Sequence, residues 1–178
     1  MHTKYHSSSE LSYDEKNCIF GATDIAGNKE MFSLPVKGIL AGLTRSDRTK
    51  AEVLDDTLTA MDEMLTLFYQ HKGLSDDPEA GVKNRMPVSR INIRYQRMFE
   101  GAFMYAGGAH IGIEWGSASG MMAGRPLEVS QGQYVSGNYF GWGIGHEIGH
   151  EINEGAYAVA EVTNNYYALL AQEINPGY

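Results

Sequence analysis

The chain has 178 residues, 43% of them hydrophobic, and a net charge of −8. That is enough chain for one domain with its own core. The acidic balance argues against nucleic acid or anionic lipid as partners, since both need a basic surface. Cys18 is the only cysteine, so no internal disulfide forms, and no apolar run reaches membrane-spanning length.

Residues 1–17 are polar and lack the apolar centre of a secretory signal. They read as a segment ahead of a domain spanning 18–178. "MFSLPVKGIL" is strand-like, with Pro35 favouring an edge or a bend. "RSDRTKAEVLDDTLTAMDEMLTLFYQHKG" predicts an amphipathic core helix. Leu54, Leu58, Met61, Leu65 and Phe68 recur at steps of three and four. Thr49 and Glu52 form a capping-box pattern, and Gly73 is a stop signal.

"LSDDPEAGVKNRMP" is a loop rich in breakers. "RINIRYQRMF" alternates, with Ile91, Ile93, Tyr95, Arg97 and Phe99 on one face of a half-buried strand. "GGAHIGIEWG" alternates again, placing Ile111, Ile113 and Trp115 opposite His110 and Glu114. "GSASGMMAG" reads as a glycine-rich loop and "PLEVSQGQYVSGNYFGWG" as strand and loop. Strands followed by C-terminal helices predict an α+β domain.

The last quarter carries the chemistry. "GHEIGHEINEG" holds His146 and His150 four residues apart with Glu147 between them. On a helix, that spacing puts both imidazoles on one face, able to meet a zinc ion at about 2 Å from each nitrogen. Glu147, on the adjacent flank, can reach a water on the metal without ligating it. A catalytic zinc needs a third protein ligand. Asn153-Glu154-Gly155 is a turn signal, with Gly155 as helix cap, and "AYAVAEVTNNYYALLAQ" predicts a second helix returning beside the first. Glu161 on that helix comes back level with the histidines. Glu154 lies about 12 Å along the axis from His146, too far to share one ion. His110 remains available if the fold brings it in. Asn165, four residues after Glu161, either holds the non-liganding nitrogen of a zinc histidine or is a plain surface residue. Gly143, Gly145 and Gly149 weaken a helix. They imply close approach of a segment or substrate, or tight packing of helix on sheet.

The runs "HEIGH" (146–150) and "EVTNN" (161–165) resemble the enhancin-like zinc metallopeptidases, which include viral enhancins and bacterial mucin-degrading O-glycopeptidases. "ATDIAGNKEMFSLPVKGI", "DEMLTLFYQHKGL" and "GAFMYAGGAHIGIE" are similar to that family's strand pair, helix end and substrate-side strand. The resemblance implies a gluzincin-like catalytic domain that binds Zn2+ through His146, His150 and Glu161, with Glu147 as general base and Asn165 in support. It implies a secreted or cell-surface hydrolase that cuts mucin-like glycoproteins, its signal lying outside this chain. The family's domain continues past the second zinc helix, so the chain reads as a fragment. Where relatives follow the histidines with a stretch containing Gln, this chain has "EINEG". Tyr134, Tyr139, Tyr157 and Tyr166 are candidate oxyanion donors. The strand from Ala109 to Trp115 is a candidate edge for an extended substrate, with Gly116–Gly124 leaving room for a sugar. The competing reading is a non-catalytic glycan- or protein-binding module that retains a zinc site.

Overall fold

The computed structural model describes residues 21–44, 47–125, 127–130, 133–135 and 140–174, with 127–130 and 133–135 as backbone alone. The N-terminal segment and Cys18 lie outside the described residues. A hairpin of β1 (Ala22–Ala26) and β2 (Glu30–Pro35) opens the fold. Alternation in β2 turns Glu30, Phe32 and Leu34 inward. Pro35 bends the chain out of the sheet and caps α1 (Val36–Gly42). It does not mark an edge, since β2 has partners on both sides.

The long helix α2 (Lys50–His71) has the expected capping box, with Thr49 and Glu52 exchanging bonds. Leu54, Leu58, Met61, Leu65 and Phe68 are all buried. Past its end Gly73 adopts φ +75°, the left-handed conformation that stops the helix. β3 (Ile91–Tyr95), β4 (Met104–Ala106) and β5 (Ile111–Ile113) complete a mixed sheet of order β1-β2-β3-β5-β4. β2, β3 and β5 run parallel, with β1 and β4 antiparallel at the edges. β3 is shorter than its alternation predicts: Arg97 and Phe99 fall past its end, and Phe99 is exposed.

Two expectations are corrected here. The strand at Ile111–Ile113 has neighbours on both sides, so among the described residues the edge of that hairpin is β4. The glycine-rich stretch after it is a helix, α3 (Trp115–Met121), and not a loop. Glu114 caps α3 through the Gly116 and Ser117 amides at 2.7 and 2.5 Å. Ala118, Met121 and Met122 bury it against α1, where Gly42 meets the Ser119 carbonyl and Met122. A second sheet pairs β6 (Leu127–Ser130) with β7 (Gln133–Val135).

The C-terminal helices are α4 (Trp142–Ile152) and α5 (Asn164–Ile174). Phe68 of α2 meets Tyr167 of α5 edge-on at 5.2 Å, fixing α5 on the core. Glu30 is fully buried beside Asp62 of α2, and neither of its oxygens has a hydrogen-bond partner of good geometry. Burial, then hydrogen bonding and repulsion from Asp62, pushes the Glu30 carboxyl up to about 9. Asp62 itself accepts from the Asn28 and Lys29 amides, tying the β1–β2 turn to α2.

Candidate metal centre

Helix α4 divides its four sides among four tasks. Ile144, Ile148 and Ile152 face the core. Gly143 lies against Phe103 and Met104 at the edge strand, on the side that also carries Glu147. Gly145 and Gly149 face α5. A Cβ on Gly149 would sit 2.6 Å from Asn164 Cβ and 2.8 Å from its Cα; one on Gly145 would meet Ala171 and the Ala168 backbone. These two glycines therefore serve a helix–helix crossing rather than helix–sheet packing. The remaining side presents His146 and His150, their rings edge-on at 4.9 Å.

The connection from α4 to α5 departs from expectation. Helix α4 ends at Ile152 with Asn153 as its cap, before Gly155, and no helix forms over 156–163. Two turns take its place, closed by Tyr157 and Ala158 N–H to the Glu154 carbonyl and by Val162 and Thr163 N–H to the Val159 carbonyl. Glu161 sits in the second turn at φ +60°, a conformation that costs a side-chain-bearing residue about 1–2 kcal/mol. Strain of this kind gathers at functional positions.

From that turn Glu161 faces both histidines. Its Oε2 lies 2.9 Å from His146 Nε2 and its Oε1 3.2 Å from His150 Nε2. The ligand atoms of His146, His150 and Glu161 all fall within 4.8 Å of one another. Tetrahedral ligands about 2.0 Å from one ion stand about 3.3 Å apart, so the donor set fits zinc. Glu161 is the exposed member at 70%, against 17% and 28% for the histidines.

Asn165, in the first turn of α5, settles the tautomer of His146. Its Nδ2 donates to the Glu161 carbonyl at 3.0 Å, so its Oδ1 is the atom 2.6 Å from His146 Nδ1. His146 therefore carries a proton on Nδ1. The Nε2 lone pair then faces a carboxylate oxygen at 2.9 Å. A proton or a cation between that nitrogen and the carboxylate would complete the contact. Asn164, which spacing did not single out, is fully buried, and its Nδ2 reaches both Nε2 atoms at 2.9 Å. Its signal was its place next to Asn165, opposite Gly149.

Glu147 is half-buried. Desolvation raises its pKa, and the two neighbouring histidines and hydrogen bonding from the Ala106 backbone oppose that rise. A dication on the Nε2 atoms would oppose it further.

His110 is not brought to this cluster. It lies at the β4–β5 turn, with Arg94 Nη2 at 2.9 Å and the Tyr105 hydroxyl at 2.8 Å from its Nε2. Its Nδ1 faces the Gly108 carbonyl at 3.3 Å. Glu154 is absent from the cluster as well. Tyr157 is 82% exposed, and the Tyr166 hydroxyl is turned onto His71 Nδ1 at 2.8 Å. The side chains of Tyr134 and Tyr139 lie outside the described residues.

No family model matches the chain, and no curated protein matches it by sequence. Solved structures do. The catalytic module of the metalloprotease ZmpA from Clostridium perfringens aligns with 86% of this chain at 21% identity and a TM-score of 0.64. The M60 catalytic domain of ZmpC from the same organism, solved in complex with the sialyl T antigen, aligns with 87% at 22% identity and a TM-score of 0.59. A conserved protein of unknown function from Bacillus anthracis aligns with 98% at 20% identity and a TM-score of 0.70. The alignment spans 27%, 26% and 33% of those chains, so this chain covers about a quarter to a third of their length. The mixed sheet followed by the helix pair that frames the His-His-Glu cluster shares its fold with these metallopeptidase modules.

Proposed function

We propose that this chain carries the catalytic centre of a zinc-dependent metallopeptidase of the enhancin-like type, secreted or surface-attached, that cuts the backbone of O-glycosylated, mucin-like proteins. One observation supports the metal reading: two imidazole Nε2 atoms and one carboxylate converge, with N–O separations of 2.9 and 3.2 Å that suit a shared ion. His146, His150 and Glu161 hold the ion, and Asn165 keeps the His146 lone pair on Nε2. A zinc ion in that place supplies Lewis acidity to water and to the scissile carbonyl.

Glu147 acts as the base. Its carboxylate takes a proton from the attacking water as the water oxygen bonds to the carbonyl carbon. It returns that proton to the amine nitrogen as the C–N bond breaks. Burial moves its pKa upward, toward the range where one group both accepts and donates at neutral pH. The edge strand β4 lies alongside α4 and is the side of the sheet on which an extended peptide could pair. The glycoprotein substrate rests on the shared fold with modules such as the ZmpC domain and on the "HEIGH" and "EVTNN" runs.

Glu147→Gln is expected to retain zinc and lose about 10²–10⁴-fold in hydrolysis rate. Metal analysis beside a peptidase assay checks both, and a variant as fast as the parent removes Glu147 from the role. Digesting one O-glycoprotein with and without its glycans tests the substrate. Equal or faster cleavage of the stripped form leaves a general zinc endopeptidase. Stoichiometric zinc with no cleavage of either form favours a binding module.

A further inference from the structure

The third ligand is the exposed one, so burial does not fix it; its backbone must. Glu161 lies within the turn from Val159 to Thr163, and the Thr163 hydroxyl closes that turn. It donates to the Val159 carbonyl at 3.2 Å and accepts from the Val159 N–H at 3.1 Å and from Asn153 Nδ2 at 3.2 Å. A hydroxyl offers one donor and two acceptor sites, and all three are used. Asn153 is the first residue past α4 and Thr163 the last before α5. A single oxygen thus ties both ends of the connection that carries Glu161. It also takes the Val159 N–H, which a continuous helix would have bonded four residues back. A side chain competing for the backbone in this way explains why the predicted helix starts late.

We propose that Thr163, clasped by Asn153, is a positioning residue for the metal centre, setting the left-handed turn from which Glu161 meets His146 and His150. The inference rests on the metal reading above. Without the hydroxyl, the turn keeps two backbone bonds to the Val159 carbonyl and the Asn165 contact to the Glu161 carbonyl. Those leave the connection free to hinge about α4. Supporting residues of this kind typically set metal affinity by about 10–100-fold.

The experiment measures zinc affinity of the full chain by competition with a chromophoric chelator, with circular dichroism as the check on folding. Thr163→Val is expected to weaken binding by about 10–100-fold with helix content unchanged. Thr163→Ser, which keeps the hydroxyl, is expected to stay within about threefold of the parent. Asn153→Ala removes one of the three bonds, so it should show a smaller loss in the same direction; it carries the test if Thr163→Val does not fold. In a Glu161→Ala background neither change should weaken binding further, because its effect passes through Glu161. A parent chain that takes up no zinc, or a Glu161→Ala variant that binds as tightly as the parent, defeats the metal reading itself. If Glu161→Ala weakens binding while Thr163→Val lowers only thermal stability, or weakens binding equally without Glu161, the positioning role is overturned and the metal reading stands.

Discussion

Two histidine-centred clusters belong to the same fold, one at the β4–β5 turn and one on α4, and their neighbours differ in kind. Around His110 the Nε2 atom faces Arg94, which can only donate, with the Tyr105 hydroxyl beside it at 2.8 Å. The lone pair is spent, Nδ1–H faces a carbonyl, and the network is closed. Around His146 and His150 the neighbours include an acceptor, the Glu161 carboxylate, and the Nδ1 proton of His146 is already committed to Asn165. That network joins an anion and the Asn164 amide at the two Nε2 atoms, where His110 has no carboxylate partner among the described contacts. A histidine is ready for a metal when its far nitrogen is held and its near nitrogen faces other acceptors. Type and exposure alone do not distinguish the two clusters.

Replacing one histidine from each cluster gives the largest contrast. His150→Ala is expected to weaken zinc binding by more than about 100-fold, beyond the range for merely supporting residues. His110→Ala should leave zinc stoichiometry unchanged. It should cost about 1–2 kcal/mol in denaturant unfolding, because Arg94 and Tyr105 lose their acceptor. Zinc loss in His110→Ala would merge the two clusters into one.

Each cluster also depends on one glycine, and these rank next. A Cβ on Gly149 meets the Asn164 backbone, which cannot move without shifting α5. Gly149→Ala is expected to cost about 2–3 kcal/mol and to weaken zinc binding. A Cβ on Gly112 meets the Tyr105 ring, which can swing aside. Gly112→Ala should cost about 1 kcal/mol and leave zinc binding unchanged. Chemical denaturation and chelator competition on the two variants decide the ranking, and equal losses would reverse the argument.

The smallest effect isolates burial without a histidine. Glu30 keeps its proton in the folded chain up to about pH 9, whereas unfolded it loses that proton near 4.5. The folded state therefore binds more protons between those values, and stability falls as pH rises from about 5 to 9. Glu30→Gln should flatten that slope and raise stability at pH 8 relative to the parent. Unfolding midpoints across that range test it, and an unchanged slope would assign the dependence elsewhere.

Much of this was legible in sequence where local rules act alone. The stripe and capping box of α2 specify that helix without help from the rest of the fold. The four-residue step from His146 to His150 likewise dictates that both rings share a side of α4. What was hidden depends on contacts distant in sequence or on a side chain overruling its own backbone. The run from Ala156 to Val162 has helical composition, yet the Thr163 hydroxyl and Asn153 hold it in turns. Helix α3 is poor in strong helix formers and forms because Glu114 caps it and α1 covers it. The edge position of β4 follows from the parallel pairing of β3 with β5, which no local pattern encodes.

The placement of Glu161 in a turn close behind α4 bears on how the chain assembles. Pairing β2 with β3 must bring Glu30 to Ile91 across the whole of α2, whereas the metal centre has only to bring Glu161 back to His150. Closing the shorter loop costs about 1.5 kcal/mol less in chain entropy. The cluster that the proposed chemistry depends on is thus one a collapsing chain can gather with a shorter search, and the parallel sheet is the slower part to register.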